Sequence, residues 1–249
     1  MRIVAARELG PGELAALFTA GYEGYHLPVS VDETALVWMV ETWDIDLARS
    51  RVALRGSEPV GIALLGVRGT RGWIGGLGVV PSERRGGAGR ALMAAVLAEA
   101  PPVVGLEVIE QNEPAIRLYE SLGFRRTRLL EVWSLAAEVP PATASEVEPH
   151  PLAQAGLPWQ RADASLPPAY VRLEVDGGAA LIQERGPHIL VLQLAARDEE
   201  AAARLLAAAR GRGERLAYVN VPEGDPASAA LRALGGTLEL RQLELERVG

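Results

Sequence analysis

The segment Gly78-Val79-Val80-Pro81-Ser82-Glu83-Arg84-Arg85-Gly86-Gly87-Ala88-Gly89-Arg90 constrains this chain most, because it joins a strand directly to the start of a helix. Upstream, Trp73 to Val80 reads as a strand that stops at Pro81, which has no N–H to give to a ladder. Downstream, from Gly89, the side chains Leu92, Met93, Val96 and Leu97 recur at helical spacing and set one apolar face against a sheet. A strand-to-helix turn of this kind suits an anion: glycines let backbone N–H groups approach a pyrophosphate, and the helix dipole favours negative charge. Arg84, Arg85 and Arg90 can add charge-assisted contacts. The turn has no Lys-Ser/Thr after its glycines and does not spell G-x-G-x-x-G, so nucleotide hydrolysis and dinucleotide binding both lack their usual signatures.

Around that turn the chain alternates strand and helix. RIVAA reads as a strand, Leu14 to Tyr22 and Glu33 to Thr42 as helices, and RVALRG and PVGIALLGV as strands, with Gly69 and Gly72 at the next turn. Pro101-Pro102 ends the helix that follows the glycine turn. The strand VVGLEVIE leads to a helix opened near Pro114 and capped by Gly123, and FRRTRLLEVWSL is the next strand. Val139 to Ser145, VPPATAS, reads as a semi-rigid linker. Beyond it the order recurs: strands YVRLEV, GAALIQE and HILVLQL, a helix from Asp198 to Arg210, the strand RLAYVNV, a helix after Pro226 and a final strand TLELRQLEL. The match of EVIEQNEPAIRLYESLGF with YVNVPEGDPASAALRALGG points to a duplication. The expected division is a catalytic domain over 1–138, a linker over 139–145 and a second domain over 146–249.

Composition narrows the function classes. With 249 residues, 49% of them hydrophobic, the chain can bury one large core or two modest ones. It has no cysteine, which excludes disulfides, thiolate metal sites and a cysteine nucleophile and fits a cytoplasmic address. No stretch approaches the ~20 apolar residues of a membrane span, and the N-terminus lacks the pattern of a leader. A net charge of -7 argues against a nucleic-acid surface and biases the chain toward cationic ligands. His26, His150 and His188 are too far apart in sequence to read as a zinc site, so no metal is expected, and His26, near Pro28, reads as a turn histidine.

Arg84, Gly87 and Gly89, after a strand ending Val79-Val80-Pro81, match the coenzyme A motif of the GNAT superfamily: Arg or Gln, two residues, Gly, one residue, then Gly or Ala. A second motif follows in register as Leu106-Glu107-Val108 on a strand, then Asn112, then AIRLYESLGF over Ala115 to Phe124. On these residues the first half of the chain resembles a GNAT N-acetyltransferase, an acyltransferase of the kind that moves groups other than aminoacyl groups. The resemblance implies an α/β fold with a mixed, mostly antiparallel central sheet flanked by helices, followed here by a second, smaller GNAT-like α/β domain. It implies acetyl-CoA as co-substrate, with pantetheine in a V-shaped slot between the strand of Gly78 and the strand of Glu107. Backbone groups of Leu77, Gly78 and Val79 would pair with the pantetheine amides, and one N–H would polarise the thioester carbonyl. The backbone of Arg85, Gly86, Gly87, Ala88, Gly89 and Arg90 would cradle the pyrophosphate, and Asn112 would bond the pantetheine arm. Tyr119 matches the residue that protonates the departing thiolate, and Glu107, five residues before Asn112, is the candidate base for an amine whose unperturbed pKa is about 10.4. Transfer would be direct, without a covalent enzyme intermediate.

Each residue also has a plainer role open to it. Tyr119 can be a core aromatic, Glu107 a solvated strand carboxylate, and the arginines of the turn a solvated surface. Tyr22, Tyr25, Trp38 and Trp43 either line an acceptor pocket by cation–π and apolar contacts or pack helices on the sheet; Tyr22, Tyr25 and Trp38 are the substrate candidates. The second half departs from the family pattern: the helix from Asp198 begins with acids where a phosphate would be repelled, and Leu231 stands at the place aligned with Tyr119. That half is therefore expected to be degenerate, completing the acceptor pocket, shielding a sheet edge or mediating a homodimer. The acceptor is the amine of a small molecule or of a peptide N-terminus, with protein N-terminal acetylation as one alternative. A coenzyme A-binding sensor or partner-binding module without turnover is the non-enzyme alternative, and a larger acyl group stays open.

Overall fold

Alternating apolar runs in the first half form strands β1 (Arg2–Ala5), β2 (Arg51–Arg55), β3 (Glu58–Arg68), β4 (Arg71–Val79) and β5 (Val103–Ile109). They lie side by side in that order, antiparallel except for the parallel pair β4 and β5. The computed structural model describes residues 1–25 and 28–249, so His26 falls outside it. Helix α1 (Pro11–Gly21) opens on Pro11 with the Glu13 carboxylate accepting from Gly10 N–H, and α2 (Glu33–Thr42) is capped by Asp32, which accepts from Ala35 N–H at 2.7 Å. Leu14, Phe18, Leu36 and Met39 from these helices are buried with Val52, Ile62 and Leu64 of the sheet. Helix α3 (Ala88–Leu97) follows the glycine turn and α4 (Glu113–Ser121) follows Asn112, with Gly123 left-handed (φ 91°) just past its end, as Pro114 and Gly123 predict.

Two compact units divide the chain, and they interleave. The first holds Met1–Glu107, Asn112–Arg126 and Leu245–Gly249; the second holds Val108–Gln111 and Thr127–Glu244. The second unit contains most of β6 (Arg125–Leu135), then β7 (Ser145–Val147), β8 (Val171–Val175), β9 (Gly178–Arg185), β10 (His188–Ala196), α5 (Glu199–Arg210), β11 (Arg215–Pro222), α6 (Pro226–Ala233) and the greater part of β12 (Thr237–Val248). Its strands run in the order β12-β6-β11-β10-β9-β8-β7, with β10 and β11 parallel. From β8 to β12 the succession of three strands, helix, strand, helix and strand repeats that from β2 to β6, as the duplicated sequence predicts. Trp133, Tyr218, Leu205, Leu206 and Leu231 fill its core.

The units do not divide at 139–145, where composition placed a linker. Ser145 already belongs to β7, paired with Glu174 of β8. From Thr127 onward β6 belongs to the second unit, where Leu135, Ser134 and Trp133 pair with β11. The end of β12 belongs to the first unit, where it is the neighbour of β5: Gly249 N–H donates to Pro102 O at 2.7 Å and Arg71 pairs with Glu246. Backbone pairing across the sheet decides which residues cohere, and that information is not in local composition.

Candidate functional site

The first unit opens where two parallel strands part. β4 and β5 pair only at Arg71 with Val103, Gly72 with Val104 and Trp73 with Gly105. Two residues later Gly75 is a bulge in β4, skipped between the pairs Leu65–Ile74 and Leu64–Gly76 on β3. A bulge bends its strand, and here it carries Gly76 to Val79 beyond the last pair with β5. The register then fixes which backbone groups face the opening. Val80 N–H donates to Val60 O, so by antiparallel alternation Gly78 and Gly76 also turn their backbone groups toward β3, while Leu77 and Val79 turn theirs away from it, into the slot. The expectation that Leu77, Gly78 and Val79 all face the slot is thus corrected at Gly78. Gly78 serves instead by lacking a side chain: a Cβ there would lie 3.1 Å from Gly21 Cα at the end of α1, and one on Gly76 would lie 2.5 Å from the Phe18 ring.

At the head of the slot the chain turns into α3. Arg85 (φ 65°) and Gly87 (φ 86°) are both left-handed, no side chain caps α3, and a Cβ on Gly87 would meet nothing within 4 Å. The first N–H groups of the helix are therefore open to an anion, and a non-glycine residue in the left-handed region costs about 1 kcal/mol that something else must offset. Ala88 is buried beneath the turn, and a Cβ on Gly89 would come 3.6 Å from Leu118 and about as near Val79 and Leu77. Two of the three arginines are committed elsewhere. Arg84 donates to Val79 O (2.9 Å), Gly21 O (3.1 Å) and Glu23 O (2.6 Å), which ties the end of α1 to β4, and Arg90 donates to Ser121 Oγ (2.6 Å). Arg85 is exposed on the turn. Asn112 is likewise engaged: its Oδ1 accepts from Ala115 N–H as the cap of α4.

The aromatic residues sort into two groups. Tyr22 stacks on Phe18 (4.7 Å between centroids) and meets Tyr25 edge-on (5.1 Å). Tyr119 of α4 lies within electrostatic range of both tyrosines and packs edge-on against Phe124. Burial, then the neighbouring tyrosines, raise the Tyr119 phenol far above its ordinary value; burial and Tyr25 do the same at Tyr22, where a backbone hydrogen bond with Leu77 pulls the other way. The second group is tryptophan. Trp38 meets Trp43 (5.2 Å) and Trp43 meets Trp73 (5.6 Å), both edge-on, and the Trp73 indole N–H donates to Glu107 Oε2 at 2.6 Å. Glu107 is half-buried rather than a freely solvated strand carboxylate. The sequence marks Trp73 only as the start of a strand; its pairing with Gly105, two residues before Glu107 and on the same face, comes from the register of β4 on β5.

The second unit repeats the opening and fills it. Its parallel pair β10–β11 ends at Val191 with Tyr218, and Leu192 is the bulge, as Gly75 is in β4. Leu194 then stands two residues past the bulge, where Leu77 stands in β4. Its carbonyl accepts from Gln154 Nε2, and its backbone also bonds the Tyr218 hydroxyl. On the other arm, Asn220 O accepts from Arg161 Nη1 at 2.8 Å, and Arg161 also bonds the Tyr218 hydroxyl and lies over its ring. Buried Gln193 holds this segment by donating to Arg161 O and Asp163 Oδ1 and accepting from Leu152 N–H. The chain from Leu152 to Ser165 thus bonds both arms of the second opening. The α5 N-terminus is capped by its own Asp198 and followed by Glu199 and Glu200, and Leu231 is buried in the core.

Compared with known proteins, residues 15–124 match the sequence profile of the acetyltransferase (GNAT) family. No curated protein matches the chain. Among solved structures, a Pyrococcus horikoshii protein classed as an acetyltransferase aligns over 100% of this chain and 88% of its own with TM-score 0.72 at 15% identity. A GCN5-related N-acetyltransferase from Sphaerobacter thermophilus aligns over 99% and 95% (TM-score 0.71, 16% identity), and a tandem GNAT protein from the clavulanic acid biosynthesis pathway over 99% and 98% (TM-score 0.65, 17% identity). These likenesses establish the fold.

Proposed function

We propose, from the premise that this chain carries a GNAT-family acetyltransferase domain over residues 15–124, that it transfers an acetyl group from acetyl-CoA directly to a primary amine. The observation that carries the reading is the arm of β4 that runs past the last pair with β5 and the Gly75 bulge into a helix whose N-terminus has no side-chain cap, whereas in the second unit the segment from Leu152 to Ser165 bonds both arms and α5 is capped by Asp198. The residues fit the co-substrate: the turn from Arg85 to Arg90 offers N–H groups and one exposed guanidinium to a pyrophosphate, and the β4 arm, where Val79 O already accepts from Arg84 and the Leu77 backbone bonds Tyr22, offers the Val79 N–H to an extended amide arm. Acetyl-CoA supplies an activated thioester. Val79 N–H faces the slot and is placed to stabilise negative charge on its carbonyl oxygen.

Glu107, held by Trp73, takes the proton that the ammonium must lose before its nitrogen attacks. As the N–C bond forms and the C–S bond breaks, Tyr119 gives its proton to the departing sulfur. Burial keeps that proton on the phenol throughout the physiological range, so the donor form is always present. In this reading the second unit has no transfer site of its own: its α5 N-terminus is capped by Asp198, and Leu231 stands where the first unit has Tyr119. A cytoplasmic setting belongs to this reading, supported by the absence of cysteine; among the described residues no helix is long and apolar enough to cross a membrane.

The test is coenzyme A release followed with a thiol reagent, which this cysteine-free chain does not itself consume. Tyr119→Phe keeps the ring contact with Phe124 and is expected to lower kcat about tenfold or more with coenzyme A binding retained. Equal turnover by the variant removes Tyr119 from the reaction. Binding of acetyl-CoA without transfer to any amine replaces the enzyme by a coenzyme A sensor, and failure to bind it ends the reading.

A further inference from the structure

Three indoles form a row that ends on the candidate base. Trp38 is 37% exposed on α2, Trp43 is half-buried and Trp73 is 4% exposed, so accessibility falls step by step toward Glu107. Successive rings meet edge-on, and the innermost indole holds the carboxylate by its N–H. Beside Trp38, Val37 is exposed to a similar degree (39%). Keeping an indole and a neighbouring valine at the surface forgoes the gain of burying them, a gain that an apolar ligand lying on them recovers.

We propose that this row is the acceptor's track, and that the acceptor is a primary amine on an aromatic or other apolar body. Its ammonium lies at Glu107 and its body on the rings of Trp43 and Trp38. The proposal rests on the acetyltransferase reading and adds the substrate class. An indole row offers chiefly apolar area and a negative ring face. A body rich in hydroxyls or secondary amines would lose water there without replacing its hydrogen bonds, whereas a phenyl or alkyl body loses nothing. The Glu107 carboxylate at the inner end matches an ammonium.

The test uses the full chain saturated with coenzyme A, titrated by calorimetry with 2-phenylethylamine or with spermidine, followed by acetyl transfer to each from acetyl-CoA. The expected result is that 2-phenylethylamine binds about tenfold or more tightly than spermidine. Trp38→Ala, at an exposed position, is expected to weaken that binding and raise KM for this amine by about fivefold or more, with coenzyme A affinity unchanged. Spermidine binding as well or better, no saturable binding of 2-phenylethylamine, or a Trp38→Ala variant with unaltered affinity each overturns the inference. In those cases coenzyme A binding and turnover on another amine leave the acetyltransferase reading standing. Loss of coenzyme A binding by the unmodified chain overturns both.

Discussion

At Tyr119 burial, then the neighbouring tyrosines, push ionisation of the phenol far above its ordinary range, so the side chain stays protonated in the native chain. Tyr22 is raised in the same way, and Tyr218 of the second unit is pushed up to about 12 by burial, with Arg161 pulling it down in part. Unfolded tyrosines ionise near pH ~10, so between that value and the raised native ones the native chain binds more protons than the unfolded chain. The stability from these phenols is therefore whole below about pH 10 and is lost as pH rises through the native values. Thermal unfolding midpoints are expected to fall steeply above about pH 10, and less steeply in Tyr218→Phe; a midpoint that holds to pH ~12 contradicts the burial. At this scale the residue types were legible and their targets less so. An arginine beside glycines fits a phosphate ligand, but the Arg84 donors go to three carbonyls, and Asn112 spends its oxygen on capping α4. Nothing local in a sequence tells a guanidinium aimed at phosphate from one aimed at a helix end.

Among the elements, β4 concentrates the glycine-dependent geometry. Its run of Gly75, Gly76 and Gly78 is unusual for a strand, since glycine there gives up side-chain packing. What the glycines are for depends on partners far away in sequence: a bulge against β3, the Phe18 ring over Gly76, and the Gly21 backbone over Gly78. A Cβ on Gly21 would lie 2.8 Å from Gly78 Cα, a clash with backbone that no rotamer relieves. Gly21→Ala is expected to cost about 1–3 kcal/mol in urea unfolding, the usual range for overpacking, and to weaken coenzyme A binding because α1 must lift from the strand that edges the slot. A variant as stable as the parent shows that α1 does not need this approach. The segment from Leu152 to Ser165 is the counterexample to legibility. Its sequence, LAQAGLPWQRADAS, has no period to read, and its role comes from Gln154 and Arg161 reaching two parted strands.

Over the whole molecule, the strand order overrides the division that sequence suggests. A chain ended at 138 would keep every residue that the motifs single out, yet it would lose Leu245–Gly249, which lie beside β5 in the first unit. It would also strand β6, from Thr127 on, without β11. Residues 1–138 alone are expected to lose cooperative unfolding by circular dichroism and to aggregate through the bared edge of β5. Cooperative melting with retained coenzyme A binding would show instead that the closing strand is dispensable.

By itself the sequence determined the α/β order of elements, the glycine turn before α3, the helix boundaries at Pro114 and Gly123, and the repeated element order, because each depends on periodicity, backbone conformation or local spacing. The tertiary structure alone decided that β4 opens at Gly75, that Trp73 holds Glu107, that the second opening is filled by its own chain, and that the last strand closes the first unit. Each of those depends on which distant backbone or side chain supplies a hydrogen-bond partner, and partner choice is settled only when the strands have found their neighbours.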